Sequence, residues 1–220
     1  MTVAPTPASR TGLIVAALPV AAAIGVFGLV YGAAARPIIG PELAVVSSLI
    51  VFSGAAQFTM VALLAAGATP VAVLGGVATL ALRHLPLGAV LLPKLTADRR
   101  RRALVSWFLI DETTGLALTR DEPVERTLAT SGGLAYAAWV LGTIGGVAGG
   151  SLASVEPLAD ALFPVLFVGL AALTTATRSD AGRALLAGGA GLALLLAWPG
   201  AGALGVIAVA IAVAAVVPAP

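Results

Sequence analysis

Long stretches of this chain carry no charge. Residues 11–35, 43–82, 127–155 and 184–220 contain no Asp, Glu, Lys or Arg. A helix needs about 20 apolar residues to cross a hydrocarbon core, so each run holds at least one crossing. The run 43–82 is too long for one and breaks at Gly67-Ala68-Thr69-Pro70. No run alternates apolar and polar residues as the strands of a membrane barrel do. The pattern therefore predicts an all-α, polytopic transmembrane helix bundle, since only helices and closed barrels satisfy their backbone in lipid. The predicted segments are 12–34, 43–66, 70–93, 103–119, 130–153, 158–177, 184–198 and 201–217. Residues 1–220 read as a single integral membrane domain, with 1–10 a short polar tail and 12–34 a retained first helix.

Segment 103–119 is short and carries Asp111-Glu112 at its centre. Positive charges collect on the cytoplasmic side. If this segment spans, Arg36, Lys94 and Arg99–Arg102 face Arg10, Arg120, Arg126, Arg178 and Arg183 across the membrane, a weak bias. If it enters and leaves on one face, only Arg10 is left outside. The second arrangement is expected: seven full spans plus a re-entrant or broken helix at 103–119. The Arg99–Arg102 block reads as a basic loop that anchors it.

Composition adds to the picture. Hydrophobic residues make up 60% of the 220 positions and charged ones 10%, where a soluble domain carries about a quarter charged. The net charge of +2 follows from a few Arg in short loops and does not signal nucleic-acid binding. With no Cys and a single His, His84, there is no disulfide, no thiolate nucleophile and no Cys-ligated or two-His metal site. No nucleophile–base set and no cofactor or metal spacing stands out, so no enzyme is expected.

Polar residues inside apolar segments are costly and mark function by default. Arg83-His84 lies near the middle of 70–93. Arg83 either grips an anionic group by a forked hydrogen bond or pairs with Asp111 or Glu112. His84 either relays a proton or bonds a carbonyl in the core. Asp111 and Glu112 suit proton coupling; their alternative is pairing with Arg at a helix end. In Phe52–Phe58 (FSGAAQF), Ser53 and Gln57 share one helix face. If the helix unwinds at Gly54, its freed amides and half-helix dipole attract a carboxylate; otherwise Gln57 simply bonds a neighbouring helix. Gly142, Gly146 and Gly150 form a small-residue face for a helix of this chain or of another subunit. Gly28 and Gly32 read the same way, and Asp160 reads as a first-turn structural carboxylate. A weak echo links Leu18-Pro19-Val20 with Phe163-Pro164-Val165.

In their order these stretches resemble the AzlC family, the large subunit of bacterial branched-chain amino-acid exporters. FSGAAQF at 52–58 is similar to the family's FAGAxQF. Leu82-Arg83-His84-Leu85, with Gly88, resembles its N-x-R-H-x-L-Y-G. FLIDETTGLAL at 108–118 resembles F-x-x-T-D-E-x-F-A-L. WVLGTIGG at 139–146 and LADALFPVLF at 158–167 resemble two later stretches. Ala81, Leu87, Ile110 and Thr114 replace the family's Asn, Tyr, Thr and Phe. The resemblance implies an exporter of valine, leucine, isoleucine or methionine in the bacterial cytoplasmic (inner) membrane, multi-pass and driven by a proton or ion gradient. It also implies a small AzlD-type four-helix membrane subunit as partner. Another small zwitterionic or anionic solute, or a non-transporting subunit that scaffolds a partner, is the alternative.

Overall fold

The computed structural model describes residues 10–149, 178–198, 200 and 202–216. Segment 158–177, the end of 130–153, Gly150, Asp160 and the Pro164 echo lie outside the described residues. Most of those described are helical, with no strand among them. Three helical stretches are long and apolar enough to cross a membrane: Thr11–Ile39, Pro70–Lys94 and Val124–Gly149.

Helices α1 (Arg10–Ile39) and α8 (Val124–Gly149) form the backbone of the bundle. They run parallel, because Gly25 lies against Ala138 and Arg36 Nη1 donates to Val147 O at 2.9 Å. Their contact is made through glycine. A methyl on Gly142 or Gly146 would land on the carbonyl of Gly25 or Leu29, and one on Gly28 or Gly32 on that of Trp139 or Thr143. Small residues let backbones meet this closely. Gly142 and Gly146 are thus used within the chain.

Segment 43–66, expected as one crossing, is two helices. α2 (Pro41–Ile50) stops at Val51, and α3 (Gly54–Ala65) starts after an extended Ser53 (φ −153°). β-Branched Val51 with Ser53 and Gly54 makes a weak helical stretch, and buried hydrogen bonds hold it open. α2 begins at the Gly149 end of α8, where α1 finishes, and reaches inward until Tyr136 Oη donates to Leu49 O at 2.8 Å. α3 then turns back. It closes on Gly67 (φ 71°), with Ala68 N bonded to Leu63 O, the Schellman ending that favours glycine. Thr69 caps the next helix by accepting from Ala72 N, and Pro70 takes its first position.

α4 (Pro70–Ala81) and α5 (His84–Leu91) form one rod, since Leu82 and Arg83 keep helical angles (φ −58° and −59°). The rod ends at Leu91, buried with Leu128 near the Val124 end of α8. After a 3₁₀ turn at Leu92–Lys94 comes α6 (Arg99–Ser106). The arginine block is therefore not a loop but the first turn of a helix. Asp98 caps it, accepting from Arg101 N at 2.8 Å.

Segment 103–119 is broken. α6 starts beside Glu125, whose carboxylate accepts from the Thr96 amide and from the Ala97 amide at 2.6 Å. Phe108 packs over Gly132, and Ile110 joins the cluster of Ala135 and Trp139. α7 (Asp111–Thr119) then returns, because Ala117 shares a cluster with Val124 and Leu128. Both outer ends lie at the Val124 end of α8. The described residues thus carry a long helix plus a hairpin of two short helices twice, in opposite directions: α1 with α2–α3, then α4–α5 with α6–α7. α9 (Arg178–Ala197) and α10 (Gly202–Val216) pack on each other, and α10 touches α4.

Candidate functional site

The tips of the two hairpins meet in a cavity of about 360 Å³. The start of α3 supplies Ser53, Gly54 and Ala55; the start of α7 supplies Asp111 and Glu112 after Ile110. Arg83, halfway along the α4–α5 rod, reaches in from the side. Ile24, Phe27, Phe52, Phe58, Leu80 and Trp139 make the rest of the wall mostly apolar.

Each break is stapled by a buried side chain. Gln57 is 1% exposed, and its amide nitrogen donates to Ser48 Oγ at 3.1 Å and Ser47 Oγ at 3.3 Å. Its carbonyl accepts from Trp139 Nε1 at 3.1 Å. Tyr31 Oη meets Ser47 Oγ at 2.6 Å and stacks on Trp139, and Ser48 meets Thr143 at 2.9 Å. The network ties α2 and α3 to the α1–α8 core. In the second break, Thr113 Oγ1 accepts from Ile110 N at 3.1 Å and donates to Phe108 O at 2.6 Å.

The two helix starts differ in charge. A helix N-terminus carries about half a positive charge, and its first amides lack partners within the helix. The first turn of α3 has no acidic residue and no side-chain cap, and Ser53, Gly54 and Ala55 at this start line the cavity. The first turn of α7 carries Asp111 and Glu112. Arg83 Nη1 lies 2.8 Å from Asp111 Oδ2, both side chains 30% exposed. Arg83 Nε is closed off from solvent and has no hydrogen-bond partner. The cavity lining is therefore polarised: it brings the Arg83 cation and the acid-free start of α3 together with the carboxylates of Asp111 and Glu112.

Of the residues singled out from sequence, Ser53, Gly54, Arg83, Asp111 and Glu112 converge here. Gln57 does not line the cavity; its polar atoms hold the break open from behind. His84 also lies off the cavity, with Nδ1 3.0 Å from Ala81 O. Gly54 has a second role, because a methyl there would sit 3.2 Å from the Trp139 ring. Sequence reasoning missed Trp139 and Thr113 as individual residues. No local capping signature marks Thr113, because the cap position is the apolar Ile110; nothing local marks Trp139 either, which arrives from α8.

Residues 19–153, more than half of the chain, match the AzlC protein family. The chain belongs to the AzlC family. AzlC proteins are a transport-associated family rather than an enzyme family, which agrees with the apolar helices in making this a membrane protein involved in transport. The AzlC match spans α1 to α8 and so includes every residue of the cavity. No curated protein and no solved structure matches the chain. Of the four departures from the AzlC motifs, only Ile110 lines the cavity, and it makes the wall more apolar.

Proposed function

We propose that this chain exports branched-chain or similar apolar amino acids across the bacterial cytoplasmic membrane, driven by a proton or ion gradient. The observation that supports it most is the polarised cavity between two half-helix starts. A zwitterion needs an anion site and a cation site a short distance apart, shielded from water. Arg83 and the Gly54 and Ala55 amides take the carboxylate. Glu112 takes the ammonium group or the coupling proton, because Asp111 is already engaged with Arg83. Phe27, Phe52, Phe58, Leu80 and Ile110 surround the aliphatic side chain.

The opposed hairpins suit alternating access, since discontinuous helices and inverted repeats recur around midplane substrate sites. One hairpin bars the route to each face. The α2–α3 hairpin is fastened by the Gln57 network. At its cavity tip the α6–α7 hairpin is held to the rod by the Arg83–Asp111 pair, which a substrate carboxylate competes with. A small AzlD-type subunit completes the exporter. The α4–α5 rod leaves Val71, Leu74 and Leu85 more than two-thirds exposed, a surface suited to such a subunit or to lipid.

The test is efflux of labelled leucine from preloaded cells expressing the chain with its AzlD-type neighbour. Faster efflux than from cells lacking both is expected. Unchanged efflux of leucine, valine, isoleucine and methionine alike would defeat the substrate assignment.

A further inference from the structure

A second cavity, about 270 Å³, lies between α5, α6 and α8, away from the first. Its floor is Leu91, Val105, Leu109 and Leu128, and its rim includes Arg102 and Ala103. Of the basic residues Arg102 lines the cavity and is partly covered; Lys94 and Arg99–Arg101, beside it in the chain, are exposed. Among the described residues, none of these cations is ion-paired with an acidic side chain. The nearest acids are occupied: Asp98 caps the Arg101 amide, and Glu125 accepts the Thr96 and Ala97 amides. Arg102 is held in place, because its Nε donates to Ala97 O at 2.7 Å. That bond fixes Arg102 as part of the groove lining.

We propose that this groove binds one anionic phospholipid, its phosphate on Arg102 and its neighbours and part of an acyl chain against Leu91, Val105 and Leu128. The chemistry is matched in depth as well as in sign. Charged Glu125 and Arg126 set the polar level at the start of α8, and Leu128 lies just inside it, where an acyl chain follows its headgroup. A free phosphate would leave the apolar floor unused, and a neutral lipid would leave the arginines unanswered. Basic clusters beside membrane helices attract anionic lipids by about 1 kcal/mol per charge, or roughly fivefold in affinity. The site does not depend on the nature of the transported solute.

The experiment is native mass spectrometry of the full chain in detergent, titrated with phosphatidylglycerol, phosphatidylcholine or inorganic phosphate. Saturable one-to-one binding of phosphatidylglycerol is expected. Arg102→Gln should weaken it about fivefold, Arg102→Lys less, and the exposed Arg101→Gln less than Arg102→Gln. Ala103→Trp fills the groove from its exposed side and should abolish retention without removing charge. If that variant fails to fold, Ser106→Leu narrows the same groove. Equal binding of phosphatidylcholine would reduce the groove to bulk acyl packing and overturn the proposal. So would wild-type retention in the groove-filled variants, competition by phosphate alone, or a dimer lost in Ala103→Trp, which would give the groove to a second copy.

Discussion

Arg83→Ala separates structural from functional roles in the first cavity. The substitution removes the partner of Asp111 and leaves two neighbouring carboxylates at the start of α7 facing apolar walls. Exposed ion pairs contribute about 0–1 kcal/mol, and breaking a buried one costs about 3–5 kcal/mol. At 30% exposure on both sides, a loss of about 1–3 kcal/mol in stability is the consistent value. A hydrogen bond from a charged donor to substrate adds about 1.5–3 kcal/mol, which predicts roughly a 10- to 150-fold loss of affinity. The measurements are leucine efflux, membrane abundance by immunoblot and melting in detergent. Export should fall to background with abundance near wild type. The double variant Arg83→Ala/Asp111→Ala then decides the matter. It removes both charges of the pair, so melting should recover towards wild type while export stays lost. Wild-type export in Arg83→Ala, or restored export in the double variant, would refute the assignment of a carboxylate to Arg83.

Three further outcomes follow from the packing. Gly146→Val drives a branched side chain into the Leu29 carbonyl and should lower stability by more than the roughly 1–3 kcal/mol of ordinary overpacking, read as lost folded protein on detergent gel filtration. Gln57→Leu strands the Trp139 indole N–H at about 1–3 kcal/mol, while Ser47 and Ser48 keep Tyr31 and Thr143 as partners; melting should drop and export fall with it, whereas a residue lining the cavity would change substrate affinity at unchanged melting. In the turn between α7 and α8, Arg120 grips Glu122 with bonds of 3.0 and 3.1 Å and holds its carboxyl below the usual carboxylate range. A lowered carboxylate pKa stabilises the fold above the unfolded value and loses that contribution as pH falls through the folded one. Wild-type protein should therefore lose melting temperature on acidification below about pH 4–5, and Glu122→Gln should show a smaller loss.

The sequence by itself determined the helical class, the membrane character, the turn at Gly67–Pro70 and the polar residues worth attention. These follow from local chemistry: the cost of charge in lipid, the angles of glycine and proline, and the spacing of apolar residues. It also pointed to 103–119 as an irregular segment, because charge balance fails if that segment crosses. It offered a break at Gly54 in 43–66 only as one of two readings, since an uncharged run looks the same whether its helix continues or turns back. Only the tertiary structure decided that. Trp139 and Tyr31, distant in sequence, bond the side chains of Gln57 and Ser47 and pin α2 and α3 on either side of the break, while Tyr136 satisfies the Leu49 carbonyl. The same assembly set Gln57 and His84 outside the cavity and Arg83 within bonding distance of Asp111, because pairing across helices depends on rotation and depth, which local pattern does not specify. The arginine block shows the same division: its charge was plain from the chain, but its place beside an apolar groove depends on where α6 lies against α5 and α8.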